Sequence, residues 1–98
     1  MGIEIRWSPG SVADLEDICR FISRDSDYYA RMLAQKILSI VETIPSFPEL
    51  GRIVPEYQHP HIRERIHKNY RIVYRIRDNA IEIVAVTHSA KPLSDTPP

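Results

Sequence analysis

Apolar and polar side chains alternate in Ile3-Glu4-Ile5-Arg6-Trp7, the two-residue period of a strand with one buried face. Ser8-Pro9 follows. Proline suits the first position of a helix, where its missing N–H would have no intrahelical partner, so a helix is predicted to start here. Ser11-Val12-Ala13-Asp14 offers a second start with capping-box character. Val12, Leu15, Ile18, Cys19 and Ile22 then recur at helical spacing and carry the helix to about Ser23. Arg24-Asp25-Ser26-Asp27 is a polar break, and Ser26 or Asp27 can cap a second helix. That helix bears Ala30, Leu33, Ile37, Ile40, Val41 and Ile44 on one stripe and stops at Pro45. Neither helix can bury its stripe alone, so the two are expected to form an antiparallel hairpin packed on a sheet.

The proline-rich stretch from Pro45 to Pro60 reads as a loop. Three strands follow, at Ile62–His67, Tyr70–Arg77 and Ile81–His88. Asp78-Asn79 separates the last two, and both residue types tolerate the positive φ that a type I′ hairpin turn demands. Ser89–Pro98 is polar and contains proline, and residues 93–98 are expected to form a flexible tail. The predicted order is β-α-α-β-β-β. This is an α+β domain over residues 1–92, with an N-terminal helical hairpin on one face of a small, mostly antiparallel sheet.

Length and composition narrow the functional classes. A chain of 98 residues forms one domain and buries roughly 65% of its unfolded surface, enough for a core without staples. Cys19 is the only cysteine, which excludes a disulfide framework and fits a reducing cytoplasm; its place on an apolar helical face predicts a buried, inert thiol. No apolar run approaches the ~18 residues of a membrane span, and the N-terminus lacks the apolar core of a signal peptide. Residues 1–50 hold five Lys/Arg against eight Asp/Glu (−3), and residues 51–98 hold eight against five (+3). A balanced chain with one basic region argues against broad docking on RNA or DNA. His59, His61 and His67 match no strong zinc spacing and no cysteine accompanies them, so solvent-exposed loop histidines are expected and no metal. There is no Gly-rich phosphate loop and no nucleophile elbow, and no cofactor is expected.

The strand at 70–77 carries the most chemistry. Alternation puts Tyr70, Ile72, Tyr74 and Ile76 on one face and Arg71, Val73, Arg75 and Arg77 on the other. The arginines fit a solvated face paired with Glu64 and Glu82 across the sheet, or a site. Arg71 equally suits a buried hydrogen-bond hub, because a guanidinium offers five donors in a rigid fork. His88 ends the last strand, where histidine serves as a hydrogen-bonder or as a general acid/base. Tyr70 and Tyr74 alternate with isoleucine, so packing is the default for both.

The order of elements resembles the RelE/ParE toxin superfamily of bacterial type II toxin–antitoxin modules. The resemblance rests on Trp7-Ser8-Pro9 with Asp14-Leu15, Tyr29-Ala30, Phe47-Pro48 with Gly51-Arg52, Ile62-Arg63-Glu64, Tyr70-Arg71-Ile72-Val73-Tyr74, and Val86 with His88. It spans roughly residues 3–92. The resemblance implies one of two activities. ParE-like members poison DNA gyrase without cutting RNA. RelE-like members are endoribonucleases that cut mRNA in the ribosomal A site. Both are neutralised by an antitoxin whose flexible segment wraps the toxin, and a free toxin with an open apolar groove is expected to self-associate. The Gly51–Glu56 run and Ile62-Arg63-Glu64 look more like the ParE branch. In the ribonuclease reading His88 is the general acid/base, Arg71 with Arg65 or Arg75 steadies the phosphate, and Tyr70 or Tyr74 stacks on a base. Ribonuclease members concentrate basic residues after the last strand, whereas here Ser89-Ala90-Lys91 supplies one. In the gyrase reading Arg52, Arg63, Arg65, Tyr70, Arg75 and Lys91 are the candidate target- or partner-binding residues.

Overall fold

Ser8 turns the chain from strand to helix. Its backbone is extended (φ −68°, ψ 153°), and its Oγ accepts the Ser11 N–H at 3.1 Å, satisfying one of the free donors of the first turn. The alternative start at Ser11 is not used; the Ser11 hydroxyl donates back to the Ser8 carbonyl at 2.8 Å. The computed structural model describes residues 2–98, in the order β1 (Glu4–Trp7), α1 (Pro9–Ser23), α2 (Asp27–Thr43), β2 (Arg52–Ile53), β3 (Ile62–His67), β4 (Tyr70–Arg77) and β5 (Ala80–His88). Ser26 caps α2 through its Oγ. Pro45 ends the α-helix by turning its last residues into a 3-10 turn at Ile44–Ser46, and a second such turn spans Pro48–Leu50.

The sheet runs β1-β5-β4-β3-β2, with β1 parallel to β5 and the other neighbours antiparallel. This is the predicted α+β fold with one addition. The stretch from Pro45 to Pro60 is not all loop, because Arg52 and Ile53 pair with Glu64 and Arg63 to make a fifth strand. Two residues carry no readable alternation, so that strand exists only through its partner.

The helical hairpin covers one sheet face. Ile37, Val41 and Ile44 meet Ile72, Tyr74, Ile81, Ile83 and Val86 there, with Leu15, Ile18 and Leu33 at the margin. Val12, predicted on the buried stripe, is exposed at the first turn of α1. Cys19 is half-buried rather than buried; its Sγ lies 3.8 Å from the Ala30 carbonyl, and burial pushes the thiol pKa up. The opposite sheet face holds a smaller cluster of Val54, Ile62 and Val73, against which Tyr57, Val84, Ala85 and Leu93 pack. The Tyr57 hydroxyl donates to the Ser94 carbonyl at 2.7 Å.

One irregularity decides which side chains of β5 face the helices. Val73 pairs with Ala85 but Tyr74 pairs with Ile83, so Val84 is an extra residue in β5. Ile83 and Val86 therefore share the helix-facing core although they are three positions apart, an odd offset that would put them on opposite faces of a regular strand. The two residues between them pack on the other side. Beyond Ile83 the short β1 no longer reaches β5, and Asp14 of α1 takes the free Val86 N–H at 3.0 Å. The expected type I′ turn does not form, since neither Asp78 nor Asn79 has positive φ. The Asn79 carbonyl instead accepts the Glu4 N–H of the neighbouring strand at 3.0 Å, a bond that an isolated hairpin lacks. Among the described residues no helix is long and apolar enough to cross a membrane.

Ile37 is fully buried at the centre of the helix–sheet contact. Ile37→Ala is expected to cost about 2–5 kcal/mol in urea denaturation. A loss under about 0.5 kcal/mol would mean that α2 does not seat on the sheet by this face.

Candidate functional site

Arg52, Glu56, Glu64 and Arg71 meet on the sheet face away from the helices, where Arg71 is the hub. Its side chain projects from the middle of the sheet and is only 6% exposed. A buried cation needs fixed counter-charges, and it has two. Its Nε donates to Glu64 Oε1 at 2.6 Å, and its two terminal nitrogens clasp both oxygens of Glu56 at 2.7 Å each. Glu64, 1% exposed, gives its other oxygen to Arg52 Nε. The result is an alternating chain Arg52–Glu64–Arg71–Glu56 with no net charge. The Arg71 guanidinium, with smaller contributions from the backbone N–H groups of Glu56 itself and Leu93, holds the Glu56 carboxyl down to about 2 against the cost of burial, and the two carboxylates hold the Arg71 pKa above its ordinary value.

A second set of contacts lies beside the first. Gly51 is packed so closely that a Cβ would come within 2.7 Å of the Glu64 carbonyl and would strike the Tyr74 hydroxyl, so only glycine fits. The Tyr74 hydroxyl donates to the Pro48 carbonyl. Arg63 donates to the carbonyls of Glu49, Gly51 and Pro60 at 2.9–3.0 Å. Arg63 thus ties the segment after α2 to β3 by neutral acceptors, while Arg52 and Arg71 tie it by charge.

The helix-facing side has a different character where β3 turns into β4. His67, Tyr70 and His88 sit in one row across β3, β4 and β5. The Tyr70 and His88 rings meet edge to face at 5.6 Å. His88 is exposed, and its Nδ1 accepts the Ala90 N–H at 3.1 Å, which leaves Nε2 as the protonated nitrogen of the neutral ring. Burial and the charges of Lys68 and Lys36 hold the His67 pKa below its ordinary value.

The sequence-predicted candidates therefore separate. Arg71 faces one side of the sheet and His88 the other, because the extra residue Val84 shifts His88 onto the helix side. Arg52, Arg63 and Arg71 converge on the loop clamp. Arg65 is on the helix side and donates to Thr43 Oγ1 at 3.3 Å. Arg75 donates to the carbonyl of Pro98, Arg77 pairs with Glu82 at 3.4 Å, and Lys91 is exposed past the end of β5. His59 and His61 pack ring to ring at 5.7 Å, and among the described residues no three His, Cys, Asp or Glu side chains gather to hold a metal. Sequence reading foresaw Glu64 as a partner of the strand arginines but not Glu56. The available signal was electrostatic: an arginine central enough to be buried needs more than one carboxylate.

The helical hairpin on a five-stranded sheet is the fold of the RelE/ParE class of toxins. Structures of that class superpose on it. A chain of the chromosomal ParDE toxin–antitoxin system from P. aeruginosa matches with a TM-score of 0.72 at 18% identity, covering 88% of this chain and 95% of that one. The YoeB dimer from Staphylococcus aureus gives 0.62 at 19%, covering 90% and 98%. A YoeB/ParE toxin from Agrobacterium tumefaciens gives 0.62 at 22%, covering 88% and 98%. No curated protein matches in sequence. Within the class the assignment is specific: the chain belongs to the family of ParE toxins of type II toxin–antitoxin (parDE) systems, whose model matches residues 5–93.

Two substitutions test the clamp. Arg71→Met strips Glu64 of a buried partner and is expected to destabilise the fold by about 3–5 kcal/mol in urea; a cost below about 1 kcal/mol would show that the network carries no structural load. Glu56 titrates lower when folded than when unfolded. Its tie therefore stabilises the fold above the ordinary carboxylate range, near 4.5, and is lost as pH falls towards about 2. Glu56→Gln is expected to flatten the decline of thermal midpoint across that window. A variant whose midpoint declines as steeply as the parent's would rule the tie out.

Proposed function

We propose that this toxin works by binding, that its target is DNA gyrase, and that it stabilises the enzyme's cleaved-DNA state. The observation that carries this reading is the separation of Arg71 from His88. Cleavage beside a 2′-hydroxyl needs a base, an acid and a cation around one phosphate. Here the best proton-transfer group and the central guanidinium lie on opposite sides of the sheet. The guanidinium's Nε and both its terminal nitrogens are already held by Glu56 and Glu64. The single basic residue after His88, Lys91, and the zero net charge also favour a binder over a ribosome-docked nuclease.

Membership of a toxin–antitoxin family brings a cognate antitoxin as partner. Phe47 and Leu50 stand exposed beside a concavity of about 480 Å³ and supply apolar surface of the kind that a wrapping segment covers. The same surface favours self-association when the antitoxin is absent. The cytoplasm, where gyrase works, is the compartment this reading requires.

The test is purified protein with gyrase, supercoiled plasmid and ATP, scored for linear DNA trapped on the enzyme. Accumulation is expected, and His88→Ala is expected to retain it. No linear DNA well above stoichiometric protein, together with loss of toxicity in a folded His88→Ala variant, would transfer the assignment to ribosome-dependent mRNA cleavage.

A further inference from the structure

The helix side of the sheet ends in a surface that the clamp and the cores do not use. The α1–α2 joint, the β3–β4 turn and the end of β5 come together there. Tyr28 and Tyr29, 61% and 67% exposed, open α2 and meet edge to face at 5.9 Å. Beside them lies a concavity of about 470 Å³ between Tyr28, Tyr29, Met32, Lys36, His67 and Lys68. Its lining holds two lysines and a histidine and no carboxylate. A second concavity, of about 360 Å³, shares Tyr29, Leu33 and Lys68 with the first and continues to Phe21 and Tyr70; Asp25 is its one acidic residue. The Arg24 guanidinium stands over the Phe21 ring at 5.9 Å, and the Tyr70–His88 pair closes the other end. In a chain of zero net charge this is a local concentration of cations interleaved with exposed rings.

We infer that this surface docks a short run of single-stranded DNA. The chemistry matches on both counts. Exposed aromatic faces take bases by stacking whatever their sequence, and cations between the rings take the phosphates. Lys36 and Lys68 line the same concavity as His67, so a phosphate seated there meets two cations. His88, whose Nδ1 accepts the Ala90 N–H, presents Nε2–H as a further donor at the far end. An acidic helix would instead call for a continuous apolar trough. Here the rings project outward and the half-buried Leu33 forms only part of the floor. The choice of DNA rests on the gyrase reading, since a protein lodged at a cleavage complex has parted DNA strands beside it. The face is opposite to the Arg71 clamp, so the two do not compete.

Fluorescence anisotropy of a labelled oligo-dT of about 12 nucleotides tests this without gyrase. Saturable binding at low salt is expected. About three engaged cations predict a slope near −2 for log K against log salt. Lys36→Glu with Lys68→Glu should weaken binding at least tenfold and flatten that slope. Tyr28→Ala with Tyr29→Ala should weaken it at least fivefold and leave the slope unchanged, a pattern that a purely electrostatic patch does not produce. All four side chains are exposed, and an unchanged urea midpoint confirms that each variant is folded. The inference is overturned by absence of saturable binding. It is equally overturned if the tyrosine variant binds like the parent while an oligo-glutamate peptide competes as well as DNA, which marks a surface for acidic protein. Tenfold tighter binding of oligo-U would assign the surface to RNA. Because gyrase is absent, a negative result leaves the poisoning assay standing, and a failure of that assay leaves oligo-dT binding to be read on its own.

Discussion

Everything on the open face of the sheet depends on the burial of Arg71. A guanidinium in the middle of a strand, away from water, is tolerable only where its donors meet carboxylates, and those carboxylates must themselves be held. Glu64 comes from the adjacent strand, where it is buried more deeply still. Glu56 has to be brought from the segment after α2. Closing the pair therefore fixes where residues 51–56 run. Once that path is fixed, Arg52 and Ile53 lie within pairing distance of β3, and Val54 drops onto Ile62 and Val73 to seal the smaller core. Gly51 permits the approach and Tyr74 fills the space behind it. A buried ion network of this kind adds little net stability compared with an apolar core. Its contribution here is geometric, because it selects one path for a segment that has almost no secondary structure of its own.

The same burial commits the Arg71 donors to Glu56 and Glu64. A phosphate would have to displace a bidentate carboxylate to reach it. The bulge at Val84 then places His88 on the far side. One extra residue in β5 thus has two effects. It keeps Val86 in the helix-facing core, and it directs His88 towards Tyr70 and the α1–α2 joint. A single unit of strand parity puts Arg71 and His88 on opposite faces, since side chains alternate faces every residue.

Much of the fold was legible in the sequence for local reasons. The helical stripes, the Ser8 and Ser26 caps, the stop at Pro45 and the strands at 62–67 and 70–77 follow from periodicity and capping, which act over a few residues. The words Gly51-Arg52, Arg63-Glu64 and Tyr70–Tyr74 were visible too, as signs of a toxin family. Their joint meaning was not visible. Nothing in the spacing of Glu56 from Arg71 says that they clasp, and the exposed Tyr28–Tyr29 pair looks in sequence like part of a helix start.

The sequence by itself determined the two helices and four of the five strands, the α+β class, and the family to which the chain belongs. Tertiary structure alone decided that Arg52 and Ile53 form a strand, that Arg71 is a structural hub, and that His88 faces away from it. The physical reason is range. Propensity and periodicity are settled between residues within a turn or two, whereas ion pairing, strand register and a bulge are settled between residues that only the folded sheet brings together.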